Sequence, residues 1–313
     1  MNSISSPAFL GPFCAFMSSV TWAVGSSTYS RLSRGHSPFA INFGRATVAL
    51  PIFFLITALS AGSPTQLIMA YQSMPQAQMF WLALSILASY AVGDVLFMWS
   101  TRSLGVPAAL AIASTYPVLT AGLATVVQGE HLAPHRLAGL LITVTGVIAV
   151  ILSQTDPTPA SSEGAHAAPA HLTRKSTGVF LAFGAMLAWA VNSLGVARGG
   201  VGVDPMVGNT LRMVCALGMS AVLGRAFAPG TEVMLPWRVL KKSLPVFIFE
   251  AFGGSAFFLY GLSHAPLAIG STLSSLAPVL SVPVAWFLGL ERFSLPRTLA
   301  VCGVVFGLWL LVL

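Results

Sequence analysis

Charged side chains are scarce in this chain: only 7% of its 313 residues are Asp, Glu, Lys or Arg, against about a quarter in soluble domains. That scarcity excludes a water-solvated globule, and 56% hydrophobic residues with a mean hydropathy of +0.84 fit a lipid bilayer instead. Cysteine is also rare. Cys14, Cys215 and Cys302 all fall inside apolar runs, which excludes a disulfide framework and leaves them as small core residues. Bases outnumber acids, for a net charge of +7, yet they stand singly or in pairs between apolar runs. That pattern sets membrane topology and gives no footing for nucleic acid, so none is expected as a partner.

Catalytic and cofactor motifs are missing as well. There is no Gly-x-x-x-x-Gly-Lys to cradle a nucleotide's phosphates, so ATP does not drive the protein directly. His131 and His135 have a metal-like spacing, but Pro134 stands between them and no Glu follows His131, which argues against zinc. Gly93-Asp94 matches part of an intramembrane aspartyl protease, a chemistry that needs two acids sharing a proton, and helix-embedded Asp occurs once. No catalytic residue, metal or cofactor is expected. A membrane-embedded enzyme acting on lipid or peptide is the alternative from another class, and it would require a cluster of acids or histidines.

What remains is apolar sequence in long runs. Roughly 20 such residues cross a hydrocarbon core, and ten candidate spans can be marked at 9–30, 38–59, 78–100, 106–127, 136–154, 177–197, 205–227, 243–263, 266–289 and 296–313. The first lacks the basic flank of a signal peptide and reads as a retained helix. Between the fifth and sixth lies 155–176, rich in Ala, Pro, Ser and His, which buries too little to fold and reads as a linker. Residues 61–77, uncharged and carrying Pro64 and Pro75, read as a loop.

The spans repeat. At one constant offset Gly11, Phe13, Ala15, Phe16, Trp22-Ala-Val, Pro38, Asn42 and Arg45 coincide with Gly178, Phe180, Ala182, Phe183, Trp189-Ala-Val, Pro205, Asn209 and Arg212. At a second offset Gly93, Phe97, Ser114, Pro117, Glu130, Arg136 and Gly146 coincide with Gly254, Phe258, Ser275, Pro278, Glu291, Arg297 and Gly307. The expected fold is therefore an all-α integral membrane protein of ten transmembrane helices, with five-helix repeats at 1–154 and 177–313. Because five is odd, the second repeat enters from the opposite side, which makes the repeats inverted. The loop charges agree. One side collects Arg31, Arg34, Arg102, Arg174, Lys175, Arg225, Arg238, Lys241, Lys242, Arg292 and Arg297, the other only Arg136 and Arg198. The first side is then cytoplasmic, and both termini are expected in the periplasm.

On these features the chain resembles the drug/metabolite transporter superfamily, specifically its ten-helix branch with duplicated EamA-type repeats. The resemblance rests on the five-plus-five duplication, the paired Trp-Ala-Val motifs, and the Pro117…Glu130 and Pro278…Glu291 segments, and it covers essentially the whole chain. It implies a bacterial inner-membrane exporter of amino acids or related metabolites, with neutral or aromatic amino acids first and cationic drugs or nucleotide-like metabolites as the alternative. The expected partners are a small-molecule substrate and membrane lipids, the expected state a monomer. One departure stands out: the four-helix relatives that exchange drugs for protons use a Glu in the first helix, and neither leading helix here contains an acid.

Intramembrane charges mark candidate functional residues, because each costs about 2.5–3.5 kcal/mol to insert. Arg45 and Asp94 lie at the same depth, each roughly 10 Å from the cytoplasmic ends of their spans at 1.5 Å per residue, so they are expected to pair, as a structural bridge or as a gate. Ser255 stands at the position equivalent to Asp94, leaving Arg212 without a matching acid, and Glu250 is either a site residue or snorkels to the interface. Trp22 and Trp189, at mid-helix, are candidates for a central cavity or for helix packing; Trp99 and Tyr260 read as interfacial. Tyr90, Tyr116, Asn42, Asn192, Asn209, Ser274 and Ser275 complete the candidate cavity. Pro117 and Pro278 each free backbone acceptors behind a run of hydroxyls and are candidate hinges. Gly303 and Gly307 form a helix-packing Gly-x-x-x-Gly face.

Overall fold

A computed structural model describes residues 7–129, 131, 133–152, 175–280 and 295–313. Helix entries are set locally in the same way in both halves. Ser37-Pro38 opens α2 (Pro38–Ala61), and Asp204-Pro205 opens α9 (Pro205–Phe227). Proline at the first helical position forfeits only an N–H that would have no partner there, and the Asp204 carboxylate accepts from the Met206 and Val207 amides at 2.8 and 3.2 Å. Such a cap is worth about 1 kcal/mol. The leading helices are α1 (Pro7–Leu32) and α8 (Lys175–Gly199).

Each half then has a long helix interrupted by a π-helical stretch. α4 (Gln76–Ile86) passes through Leu87–Gly93, here π1, into α5 (Asp94–Ala113); α10 (Trp237–Val246) passes through Phe247–Gly254, here π3, into α11 (Ser255–Ser263). A π-helical turn re-aims the side chains that follow it and frees backbone carbonyls. Asn42 donates to the carbonyl of Tyr90 within π1 at 2.6 Å, and Asn209 to the carbonyl of Ser255, the first residue of α11, at 3.1 Å.

The remaining helices are broken at proline. α6 (Tyr116–Leu123) follows α5 after a break at Ser114–Thr115 and runs into the short π2 (Ala124–Gln128). α12 (Leu267–Ser274) ends before Ser275, and a further helical turn spans 277–280. α5 and α12 end on Ala113 and Ser274, four residues before Pro117 and Pro278, where a proline ring displaces the carbonyl. The separation expected between spans 78–100 and 106–127 is corrected here: α5 runs on past residue 106, and the break falls instead where proline sterics put it. α7 (Pro134–Leu152) and α13 (Leu295–Val312) complete the described helices. Within 61–77, read above as a loop, α3 (Pro64–Gln72) forms because Ser63 accepts from the Gln66 amide and Pro64 begins the helix.

Among the described residues, six helices are long and apolar enough to cross a bilayer: Phe9–Leu32, Pro38–Ala61, Gln76–Leu104, Lys175–Gly199, Pro205–Phe227 and Trp237–Ser263. Four shorter apolar helices, Tyr116–Val127, Pro134–Ala149, Leu267–Leu280 and Leu299–Leu311, accompany them. The protein is a multi-pass membrane protein. The linker expected at 155–176, together with Glu130 and Glu291, lies outside the described residues.

Packing crosses between the halves. α1 lies on π3 and α11 of the second half, and α8 lies on π1 and α5 of the first, while α2 packs on α9 and α7 on α13. The α7–α13 contact is close enough that a Cβ on Gly139 would fall 2.6 Å from the Gly307 carbonyl oxygen. Gly307 of the expected Gly-x-x-x-Gly face packs against Gly139 and Thr143 across this interface, while among the described residues a Cβ on Gly303 would meet nothing within 4 Å.

Candidate functional site

At the crossing of α1, α2, the two π-helical segments and α8, the chain encloses a cavity with about 730 Å³ of atom-free space, including that at its mouth. Of the residues singled out from the sequence, Trp22, Arg45, Tyr90, Asp94, Tyr116, Trp189, Asn192, Glu250, Ser274, Ser275 and Pro278 line it. Asn42, Asn209 and Pro117 do not. Each asparagine instead stands behind an arginine, three residues away on the same helix face: Arg45 Nη1 donates to Asn42 Oδ1 and Arg212 Nη1 to Asn209 Oδ1, both at 2.8 Å.

The two arginines have equivalent supports but different partners. Arg45 is buried and bonded to both acids of the cavity. Its Nη1 lies 2.6 Å from Asp94 Oδ2, and its Nη2 lies 3.1 Å from each Glu250 oxygen. The guanidinium is held between two rings, with Cζ 4.0 Å from the Tyr90 centroid and 4.3 Å from that of Tyr29. A planar, weakly hydrated cation is well placed between π faces. Trp189 Nε1 donates to Asp94 Oδ1 at 3.0 Å, and Tyr29 Oη donates to Glu250 Oε2. The snorkelling alternative for Glu250 is overturned: the side chain turns inward to Arg45 and is buried. Arg212, equally buried, donates to Ser85 Oγ at 3.1 Å, Asn209 Oδ1 at 2.8 Å and Asn192 Oδ1 at 3.2 Å. Those bonds all go to neutral groups.

Aromatic rings form the wall between these charges. Trp22 and Trp189 meet edge to face at 5.7 Å, and Tyr116 meets Trp189 edge to face at 6.2 Å. Trp99 and Tyr260 stand apart from the cavity, against Phe39 and His264. Hydroxyls join the two proline-broken helices: Tyr116 Oη lies 2.8 Å from Ser274 Oγ and donates to the Ser271 carbonyl at 3.1 Å, and Thr120 Oγ1 lies 2.6 Å from Ser271 Oγ. Sequence reasoning did not find Tyr29, Ser18 or Thr21. The signal was present, since 18, 21, 22, 25 and 29 follow one face of α1 at helical spacing, but Trp22 was weighed alone.

Contacts also sort the loops. Arg102 donates to the Ser33 carbonyl at 2.6 Å, bringing together the ends of α1 and of the Gln76–Leu104 span. At the opposite end Gln78 donates to the Val201 carbonyl at 2.6 Å and Arg198 to the Val127 carbonyl at 2.5 Å.

A polytopic helical membrane protein with a polar and aromatic cavity between two similar halves is a transporter by architecture. The EamA-like transporter family matches the chain twice, over residues 9–152 and 176–313, and the protein belongs to that family. It is a transporter and not an enzyme. A solved crystal structure of a protein superimposes with a TM-score of 0.71 at 16% identity, over 97% of this chain and 96% of the other, a likeness of fold alone. No curated protein matches the chain.

Proposed function

We propose that the protein exports a zwitterionic small metabolite, a neutral or aromatic amino acid, across a bacterial inner membrane. The observation that carries this reading is the separation of charge within one cavity. Arg212 donates only to neutral side chains, whereas Asp94 and Glu250 both sit on the single guanidinium of Arg45. Arg212 has N–H groups to spare for a substrate carboxylate, since a guanidinium carries five donors. The two carboxylates have lone pairs to spare for an α-ammonium. Trp22, Trp189 and Tyr116 offer apolar faces to the side chain between them.

The mechanism proposed is alternating access in a ten-helix bundle of two inverted repeats, working as a monomer with both termini periplasmic. The crosswise packing of α1 on π3–α11 and α8 on π1–α5 supports a two-fold relation between the halves, and an odd number of helices per repeat puts that axis in the membrane plane. The cationic-drug and nucleotide alternatives are less well served, the first by the cavity's Arg212 guanidinium, bonded only to neutral groups, and the second by the two carboxylates.

Counterflow of labelled amino acids in proteoliposomes tests the reading. Aromatic amino acids are expected to exchange, their decarboxylated amines and their N-acetylated acids to compete at least tenfold more weakly, and Arg212→Gln to abolish the advantage of the acid over the amine. Equal competition by the amines would overturn the carboxylate role, and failure of every amino acid to exchange would overturn the substrate class.

A further inference from the structure

We propose that Glu250, together with Tyr29, is a proton-binding site, and that the cavity holds its exchangeable proton there. The argument begins with stoichiometry. Asp94 and Glu250, both buried, share one guanidinium, and one monovalent cation compensates only one of them. Among the described residues Arg45 alone pairs with Glu250 as a cation. α1 brings Tyr29, π1 and α5 bring Tyr90 and Asp94, and Arg238, Lys241 and Lys242 of α10 are exposed and face away. From α11 the titratable groups are Tyr260 and the following His264, which stack on one another at the far end of that helix. Arg212 lines the same cavity; its hydrogen bonds go to Ser85, Asn192 and Asn209, and its charge acts through space on Asp94, which leaves Glu250 as the acid to take the proton.

Hydrogen-bond chemistry decides which carboxylate takes the proton. The partners of Asp94 are Arg45 N–H and Trp189 Nε1–H, and neither can accept a hydrogen bond. A protonated Asp94 would direct an O–H against donors. Glu250 has Tyr29 on Oε2, and a phenol both donates and accepts. When the carboxyl is protonated it donates to Tyr29 Oη, whose own hydrogen turns away; when the proton leaves to water in the cavity, Tyr29 donates to the carboxylate. The pair serves both states without a lost partner. Room for it is provided by Gly25, where a Cβ would fall 2.6 Å from Glu250 Cγ.

One consequence rests on the transport reading above: a substrate ammonium and this proton compete for the same carboxylates, so export would run as exchange for protons. The site itself is tested without any substrate. Infrared difference spectra of reconstituted protein, taken between neutral and alkaline buffer, are expected to show a carbonyl band of a protonated carboxylic acid that disappears in alkali. That band should be lost in Glu250→Gln and should move in frequency in Tyr29→Phe. It should also be lost at neutral pH in Asp94→Asn, because one carboxylate and one guanidinium then balance. Absence of the band in the wild type, or its persistence in Glu250→Gln, would overturn the proposal. If Glu250→Gln does not fold, undiminished intensity in Asp94→Asn overturns it equally. Amino-acid counterflow failing while the band behaves as expected would remove the substrate reading and leave the proton site.

Discussion

Gly25 stands where Glu250 needs room, with a Cβ at position 25 placed 2.6 Å from the Glu250 Cγ. At the equivalent positions the sizes are reversed, with Asn192 in place of Gly25 and Ser89 in place of Glu250. One half of the repeat thus lodges a long acid against a glycine, the other a short hydroxyl residue with an amide that bonds Arg212. This exchange of volume lets the cavity hold a long acid at one of two equivalent positions and a neutral hydroxyl and amide at the other.

Gly25→Ala should therefore unseat Glu250, at a cost of about 1–3 kcal/mol for overpacking. Thermal unfolding in detergent checks it. Adding Glu250→Ala, which removes the γ-carbon that the new methyl meets, should make the double variant more stable than the sum of the single changes; strict additivity would show that the two positions do not meet.

Arg45→Gln is expected to be the most damaging change in the cavity, since it leaves two buried carboxylates without their cation. A loss of about 3–5 kcal/mol is the scale for breaking a buried ion pair. Asp94→Asn and Glu250→Gln should each cost less, because Arg45 keeps one acid, and the triple neutral variant should recover part of the Arg45→Gln loss. Yield and melting temperature of the four proteins decide the order, and equal losses for all single variants would contradict it.

The hydroxyls between α6 and α12 should part when that end of the cavity opens. Thr120→Cys/Ser271→Cys, whose native oxygens lie 2.6 Å apart, is expected to cross-link on mild oxidation in a background with Cys14, Cys215 and Cys302 replaced. Exchange should then stop and return with reductant. Full transport by the oxidised protein would mean that this contact does not move.

A reporter fused after Leu313 should report the periplasm, and one inserted in 155–176 the cytoplasm. The contact of Arg102 with Ser33 at one end, and of Gln78 and Arg198 with Val201 and Val127 at the other, groups these loops as the charge distribution does. Reversed signals would overturn the orientation.

Much of the site was legible because lipid penalises charge so heavily that the few charges inside the spans had to matter. Depth along the helices placed Arg45 level with Asp94, and they lie 2.6 Å apart. The same counting left Glu250 without a partner, although it pairs with Arg45 of the other half. Asn42 and Asn209 were visible as repeated polar residues, but their turn away from the cavity, toward carbonyls in π1 and at the end of π3, was not. A π-helical segment has no composition of its own; neighbouring helices impose it.

By itself the sequence determined the solvent, the helical class, the duplication and the places where proline breaks the chain. Those follow from local quantities: hydropathy over a window, recurrence at a fixed offset, and a ring that cannot donate a hydrogen bond. Which half lends an acid to which arginine was decided only by the tertiary structure. Two segments more than 200 residues apart are brought together by crosswise packing, and the azimuth at which Glu250 and Tyr29 meet depends on a π-helical turn and on the empty volume of Gly25. Rotation about a helix axis is set by what the neighbouring helices leave room for.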